Sequence, residues 1–182
     1  MKLGFLILSM LVCLQIRAQD SAILKSILSH YYQNEKVIVK NRNQLLFFFC
    51  DKPNNSEELF ETVNALKLKP ETVAAIRRQI KTDVAPENWT ADYERALSPE
   101  HPLRAKINDC QSLDTYQEKQ RRFNLNNQRM LIVHKPVFFE KSRALVKIVF
   151  YRTIEHNSGS VLLMEKQGEN WIIREKLNNW ST

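Results

Sequence analysis

From residue 129 onward the chain is written in short alternating runs, and this pattern constrains the fold more than any other feature. Arg129 to His134, Ala144 to Arg152, Val161 to Lys166 and Trp171 to Leu177 each read as a strand. In the second run Leu145, Lys147, Val149 and Tyr151 fall on one side and Val146, Ile148 and Phe150 on the other. Ser158-Gly159 marks one turn and Gln167-Gly168-Glu169 another. Strands spaced this tightly pair as an antiparallel meander. Pro136 ends or bulges the first of them.

The first two thirds are mostly helical in period. Ile23, Leu24, Ile27, Leu28 and Tyr31 form one apolar stripe over residues 21–32, with Asp20 or Ser21 as cap. Leu59, Val63 and Leu66 line a second helix that starts near Asn55 and Glu58. Val73, Ile76 and Ile80 line a third, which Pro70 opens while Arg77, Arg78 and Lys81 face outward. Thr90 with Asp92 starts a short one, and Leu113, Tyr116, Gln120 and Phe123 define the last. Ser98 to Pro102 reads as a loop. Two strand-like runs interrupt the helices, Lys36 to Val39 and Leu45 to Cys50, with Asn41-Arg42-Asn43 as the turn between them. The second is apolar on both faces, so Phe48 belongs to a strand buried on both sides. The fold class is therefore α+β: N-terminal helices covering one face of a mainly C-terminal antiparallel sheet. Trp171 and Ile173 share a face of the closing strand and are expected in its core.

Lys2, the apolar run Leu3 to Leu14 and the small residue Ala18 have the pattern of a signal peptide cleaved after Ala18 or Gln19. The run is too short to span a bilayer. An uncleaved anchor and lipidation at Cys13 are the alternatives. On the signal-peptide reading, residues 1–18 are removed and 19–182 form one domain, periplasmic or extracellular, with no transmembrane segment. Cleavage also removes Cys13 and leaves Cys50 and Cys110, an even pair in an oxidising compartment. One disulfide is expected, and two separate thiols are the alternative.

Several segments carry a family resemblance. They are Phe48 to Asn55, Lys135 to Phe139, Ala144-Leu145-Val146, and the hairpin from Val161 through Gly168 and Trp171 to Ile173, with Asn179-Trp180 at the end. Together they resemble an uncharacterised family of small exported bacterial α+β proteins closed by a hairpin whose glycine turn leads into a tryptophan. The hairpin is also similar to that of nuclear transport factor 2-like domains. That resemblance implies a curved, cone-like sheet lining a pocket as the alternative architecture.

Chemistry is constrained mainly by what the chain lacks. It contains three glycines, Gly4, Gly159 and Gly168, and none of the glycine-dependent phosphate, dinucleotide or nucleophile-elbow motifs. His30, His101, His134 and His156 show no metal-ligand spacing, and there is no CxxC, so no metal or cofactor is expected. His134 and His156 read as surface residues. Glu57, Glu58 and Glu61 read as acids favouring a helix dipole rather than as a catalytic pair. Phe47, Phe48, Phe49, Phe138, Phe139 and Phe150 read as core. Asn88-Trp89-Thr90 matches a glycosylation sequon by chance. The net charge of +7 comes from bases interleaved with acids, including Arg77-Arg78 and Lys119 with Arg121-Arg122. Export argues against nucleic acid and leaves weak attraction to an anionic envelope surface. The leading functional expectation is a non-catalytic module for a protein or small-molecule partner, of protective or immunity type in one version. The alternatives are a small secreted enzyme with a dispersed histidine–carboxylate site and an envelope-associated structural protein.

Overall fold

A computed structural model describes residues 19–35, 38–39, 42–43, 46–54, 57–82, 84–107, 110–123, 129–153 and 155–182. The expected leader lies outside these residues, as do the turn residue Asn41, the proposed helix start at Asn55 and the polar link 124–128.

Helix α1 covers residues 19–32. It buries Ile23, Leu24, Ile27 and Leu28 completely, as the spacing predicted, while Tyr32 closes the stripe and the expected Tyr31 is only partly buried. After the small pair β1 (Ile38–Val39) and β2 (Arg42–Asn43), β3 (Phe47–Phe49) enters the main sheet and β4 (Asp51–Lys52) leaves it. Helices α2 (Glu57–Ala65) and α3 (Pro70–Thr82) follow, then β5 (Glu87–Asn88), which pairs with β4. The short helices α4 (Thr90–Ala96) and α5 (Pro102–Lys106) precede β6 (Cys110–Gln111) and α6 (Leu113–Phe123). The start of α5 lies inside the expected loop. Pro102 opens it, and His101 caps it by accepting the Leu103 N–H on Nδ1.

The last third is sheet, as its alternation required: β7 (Met130–Val133), β8 (Val137–Phe139), β9 (Arg143–Thr153), β10 (His156–Gln167) and β11 (Asn170–Ser181). The strand order is β11-β10-β9-β7-β3-β6, with β8 beside β7 along the same edge of β9. Strands β7 to β11 pair antiparallel, whereas β3 pairs in parallel with both β6 and β7. Parallel pairing needs a long return path, and the helical segment between β3 and β7 supplies it.

Arg42 and Asn43, expected in a turn, instead form β2 and pair with Val39 and Ile38. Two further details differ from the sequence reading. Helices cover both faces of the sheet, not one. Helices α1, α4 and α5 pack with Phe48, Leu131, Val146, Ile148 and Trp171, while α2 and α3 pack with Val137, Phe139, Leu145 and Val161. The cause is β9, which is apolar on both sides and so needs two covers. In addition, Gly159 sits inside β10, not in a turn. A Cβ there would lie 2.5 Å from the Trp180 ring and 2.6 Å from the Ile148 carbonyl oxygen, so glycine is what lets Trp180 lie flat on the strand. The second turn is as expected, with Gly168 at φ 62°. Register shifts beside Gly159 and Met164 bend the long hairpin.

Trp171 is buried, Ile173 is half-buried against the same core, and Phe48 is fully buried. Phe47 packs on the opposite side with Tyr116 and Met130 beneath α6, so β3 is covered on both faces. Phe139 is buried, and Phe49, Phe138 and Phe150 are partly so.

Candidate functional site

The polar side chains that the fold gathers form a largely buried cluster and an open depression. Cys50 and Cys110 form a disulfide, with Cα atoms 4.8 Å apart. The parallel pairing of Phe48 with Cys110 and Phe49 with Gln111 brings them together. The bond fastens the end of β3 to the start of α6's approach.

Close to it lies the interior cluster. Lys52 Nζ is 2.7 Å from Asp20 Oδ2 and 2.7 Å from Asp92 Oδ2, and 3.7 Å from Glu87 Oε2. Its ammonium also lies 4.2 Å from the centre of the Trp89 ring. Trp89 is fully buried and donates its indole N–H to the Val133 carbonyl. Ser21 donates to Asp92 Oδ1, and Arg95 lies 3.5 Å from the same oxygen. Lys135 reaches Glu87 at 3.0 Å and the Ala85 carbonyl. Burial pushes the Asp20 carboxyl up despite the pull of Lys52. Burial works to lower Lys52, yet Asp20 and Asp92 outweigh it and hold the ammonium above its ordinary value.

His134 corrects the surface reading. It is buried, and Nδ1 is 2.9 Å from the Asn54 carbonyl oxygen. The reason is the strap of residues 52–54. The Lys135 N–H donates to the Pro53 carbonyl and clamps the strap over the end of β7. Burial drives the imidazole down to about 4, and Lys147 pushes the same way. The hydrogen bond to Asn54 and the Glu58 carboxylate oppose it. The imidazole is therefore neutral at pH 7. The linked stability has a definite sign. A histidine depressed from 6.5 to about 4 stabilises the fold fully above about pH 6.5, and that contribution is lost as pH falls through this window. Denaturant unfolding should show a loss of about 3 kcal/mol between pH 7 and pH 4 from this residue. Asp20, raised on folding, acts in the opposite sense at the acid end. His134→Gln should remove the His134 component, and an unchanged pH profile in that variant would refute the assignment.

Glu58 does more than stand at a helix start. It pairs with the buried Lys147 Nζ at 2.9 Å. Arg77, Arg78 and Lys81 are exposed, as expected.

The open depression, about 580 Å³, lies between α6 and the β9–β10 hairpin. Gln117, Gln120 and Arg121 come from the helix; Tyr151, Arg152, Thr153, Glu155 and His156 come from the hairpin. Helical spacing puts Gln117, Gln120 and Arg121 on one face. Strand alternation sends Tyr151 away from the Phe150 side. The amides are tied in place: Gln117 Nε2 donates to the Tyr151 hydroxyl at 3.3 Å, and Gln120 Nε2 to the Arg152 carbonyl at 3.2 Å. Their carbonyl oxygens remain acceptors. Beneath them burial raises the Tyr116 phenol to about 12, with Tyr151 adding to the effect, so it stays a neutral donor. Amides and guanidinium groups of this kind can offer hydrogen bonds and guanidinium contacts to carboxylate or phosphate oxygens.

Sequence reasoning placed Arg121 in a basic run and His156 at the surface, where it is exposed at the start of β10, but did not join them. It missed the Lys52 cluster altogether. The available signal was two of the chain's three Lys-Pro pairs, Lys52-Pro53 and Lys135-Pro136, each one residue beyond an apolar run. Among the described residues no group of histidine, cysteine and carboxylate side chains is arranged to hold a metal ion. No helix among them is long and apolar enough to cross a membrane. No family model, no curated protein and no solved structure matches the chain.

Proposed function

We propose that the chain is exported through a cleaved leader and acts as a non-catalytic binding protein. The α6–hairpin depression receives a small polar ligand or the polar tip of a partner. The observation that carries this reading is the convergence of two amides, two guanidinium groups, a phenol and an imidazole on one open concavity. The Cys50–Cys110 disulfide supports the exported context. The resemblance to small exported bacterial proteins points the same way. The non-catalytic reading is supported by the use of His134, Glu58 and Lys147 as internal framework.

Backbone and side-chain amide NMR tests the reading with a panel of neutral polyols, carboxylates and phosphate esters. At least one class should shift the Gln117 and Gln120 side-chain amide signals saturably. Arg121→Ala together with Gln117→Ala should weaken that binding about tenfold or more, with the fold unchanged, since hydrogen bonds to charged groups contribute about 1.5–3 kcal/mol each. If no class shifts these signals, the depression is not a binding site.

A further inference from the structure

We propose that Lys52 and Asp20 become joined by a side-chain amide, a self-formed covalent cross-link between β4 and α1. The inference stands on the interior cluster and is independent of the binding reading. Three conditions for such a bond meet there. The reacting groups are in contact, with Lys52 Nζ 2.7 Å from Asp20 Oδ2. They are removed from water: the Lys52, Asp20 and Asp92 side chains are 4%, 11% and 6% exposed, under the fully buried Trp89 ring. A second carboxylate, Asp92 Oδ2, touches the same nitrogen at 2.7 Å and is held by Ser21 and Arg95 on its other oxygen. Asp20 Oδ1, by contrast, is buried with no hydrogen-bond partner. A buried carboxylate oxygen in that state is costly as an anion and less so as a carbonyl or a hydroxyl.

The chemistry balances without a co-reactant. Lys52 Nζ gives one proton to Asp20 across their contact, producing an amine and a neutral carboxylic acid. The two charges cancel, which relieves the burial cost of the Asp20 anion. The nitrogen lone pair then forms a bond to Asp20 Cγ. Asp92 accepts a second proton from the nitrogen and passes it to the departing hydroxyl, which leaves as water. One C–N bond forms and one C–O bond breaks. Asp92 ends as the carboxylate it began as, and nothing is oxidised or reduced. Held in place by folding, the groups gain the effective concentration that an intermolecular pair lacks. The slow step is deprotonation of Lys52, because the same carboxylates that position it also stabilise its ammonium. The bond therefore matures after folding, over time.

Peptide mass spectrometry of the folded, full-length protein decides the matter, whichever residue begins the chain. The expected species joins the peptide bearing Asp20 to the peptide bearing Lys52 and is lighter than their sum by one water. It should survive reduction and boiling. Lys52→Arg should abolish it while keeping a cation among the carboxylates. Asp92→Asn should fold and accumulate it at least tenfold more slowly. Recovery of Lys52 and Asp20 in separate, unmodified peptides after prolonged incubation of the folded protein would overturn the proposal. So would a bond from Lys52 to Asp92 or Glu87.

Discussion

Replacing Cys50 and Cys110 together by alanine is expected to destabilise the fold by about 4 kcal/mol. The bond closes a loop of 60 residues. Opening it returns to the unfolded chain the freedom that the cross-link withholds, and the size follows from the logarithm of the loop length. Chemical unfolding of the double variant, or of wild type under reductant, measures it. The two should agree closely, since the small side chains left behind are only half-buried. A loss under about 1 kcal/mol would mean that β3, β6 and α6 hold together without the bond. In that case the parallel pairing of Phe48 with Cys110 would be the stronger tether.

The second large effect is at Trp89. Truncation to alanine removes a fully buried indole, leaves the Val133 carbonyl without its donor and strips the ring from the Lys52 ammonium. Large aromatic-to-alanine changes in a core cost about 3–5 kcal/mol, and an orphaned buried carbonyl adds to that. The variant should therefore be close to unfolded at ambient temperature, because a domain of this size has only about 5–15 kcal/mol in total. Trp89→Phe should recover most of the packing but not the hydrogen bond. If Trp89→Ala unfolds at the wild-type denaturant midpoint, the ring is not the roof of the interior cluster.

Trp89 also shows where sequence reasoning stops. In Asn88-Trp89-Thr90 the tripeptide catches the eye as a sequon. Nothing in its local spacing reports that Trp89 meets Val133, 44 residues away. Long apolar periodicities behaved differently. The stripe Ile23, Leu24, Ile27, Leu28 and the alternation of β9 are properties of neighbouring residues, and both appear in the fold where they were read. Phe48 and Trp171 were legible for the same reason.

The misreadings of His134, Gly159 and the two buried lysines share one physical cause, burial imposed by a remote segment. His134 sits at a strand end, normally a wet position, and becomes interior only because residues 52–54 cross over it. Gly159 looks like a turn residue until Trp180, 21 positions later, lies against it. Lys52 and Lys135 look like solvated charges, since lysine is rarely buried without partners. Their partners come from two remote places in the chain, Asp20 from α1 and Glu87 and Asp92 from the β5–α4 stretch. The α6–hairpin depression was half legible. The basic helix face could be read, but its opposition to Tyr151 and His156 is a product of the β7–β9 pairing that carries the hairpin past α6.

The proposed export and the Cys50–Cys110 disulfide can be tested together. The most direct measurement is intact-mass analysis of the protein recovered from the exported fraction of a producing cell, alkylated under denaturing conditions without reductant. The account predicts a chain beginning at Gln19 or Asp20 with neither Cys50 nor Cys110 alkylated. A chain that retains Met1 to Leu14 and takes up alkylating reagent at both Cys50 and Cys110 would contradict it.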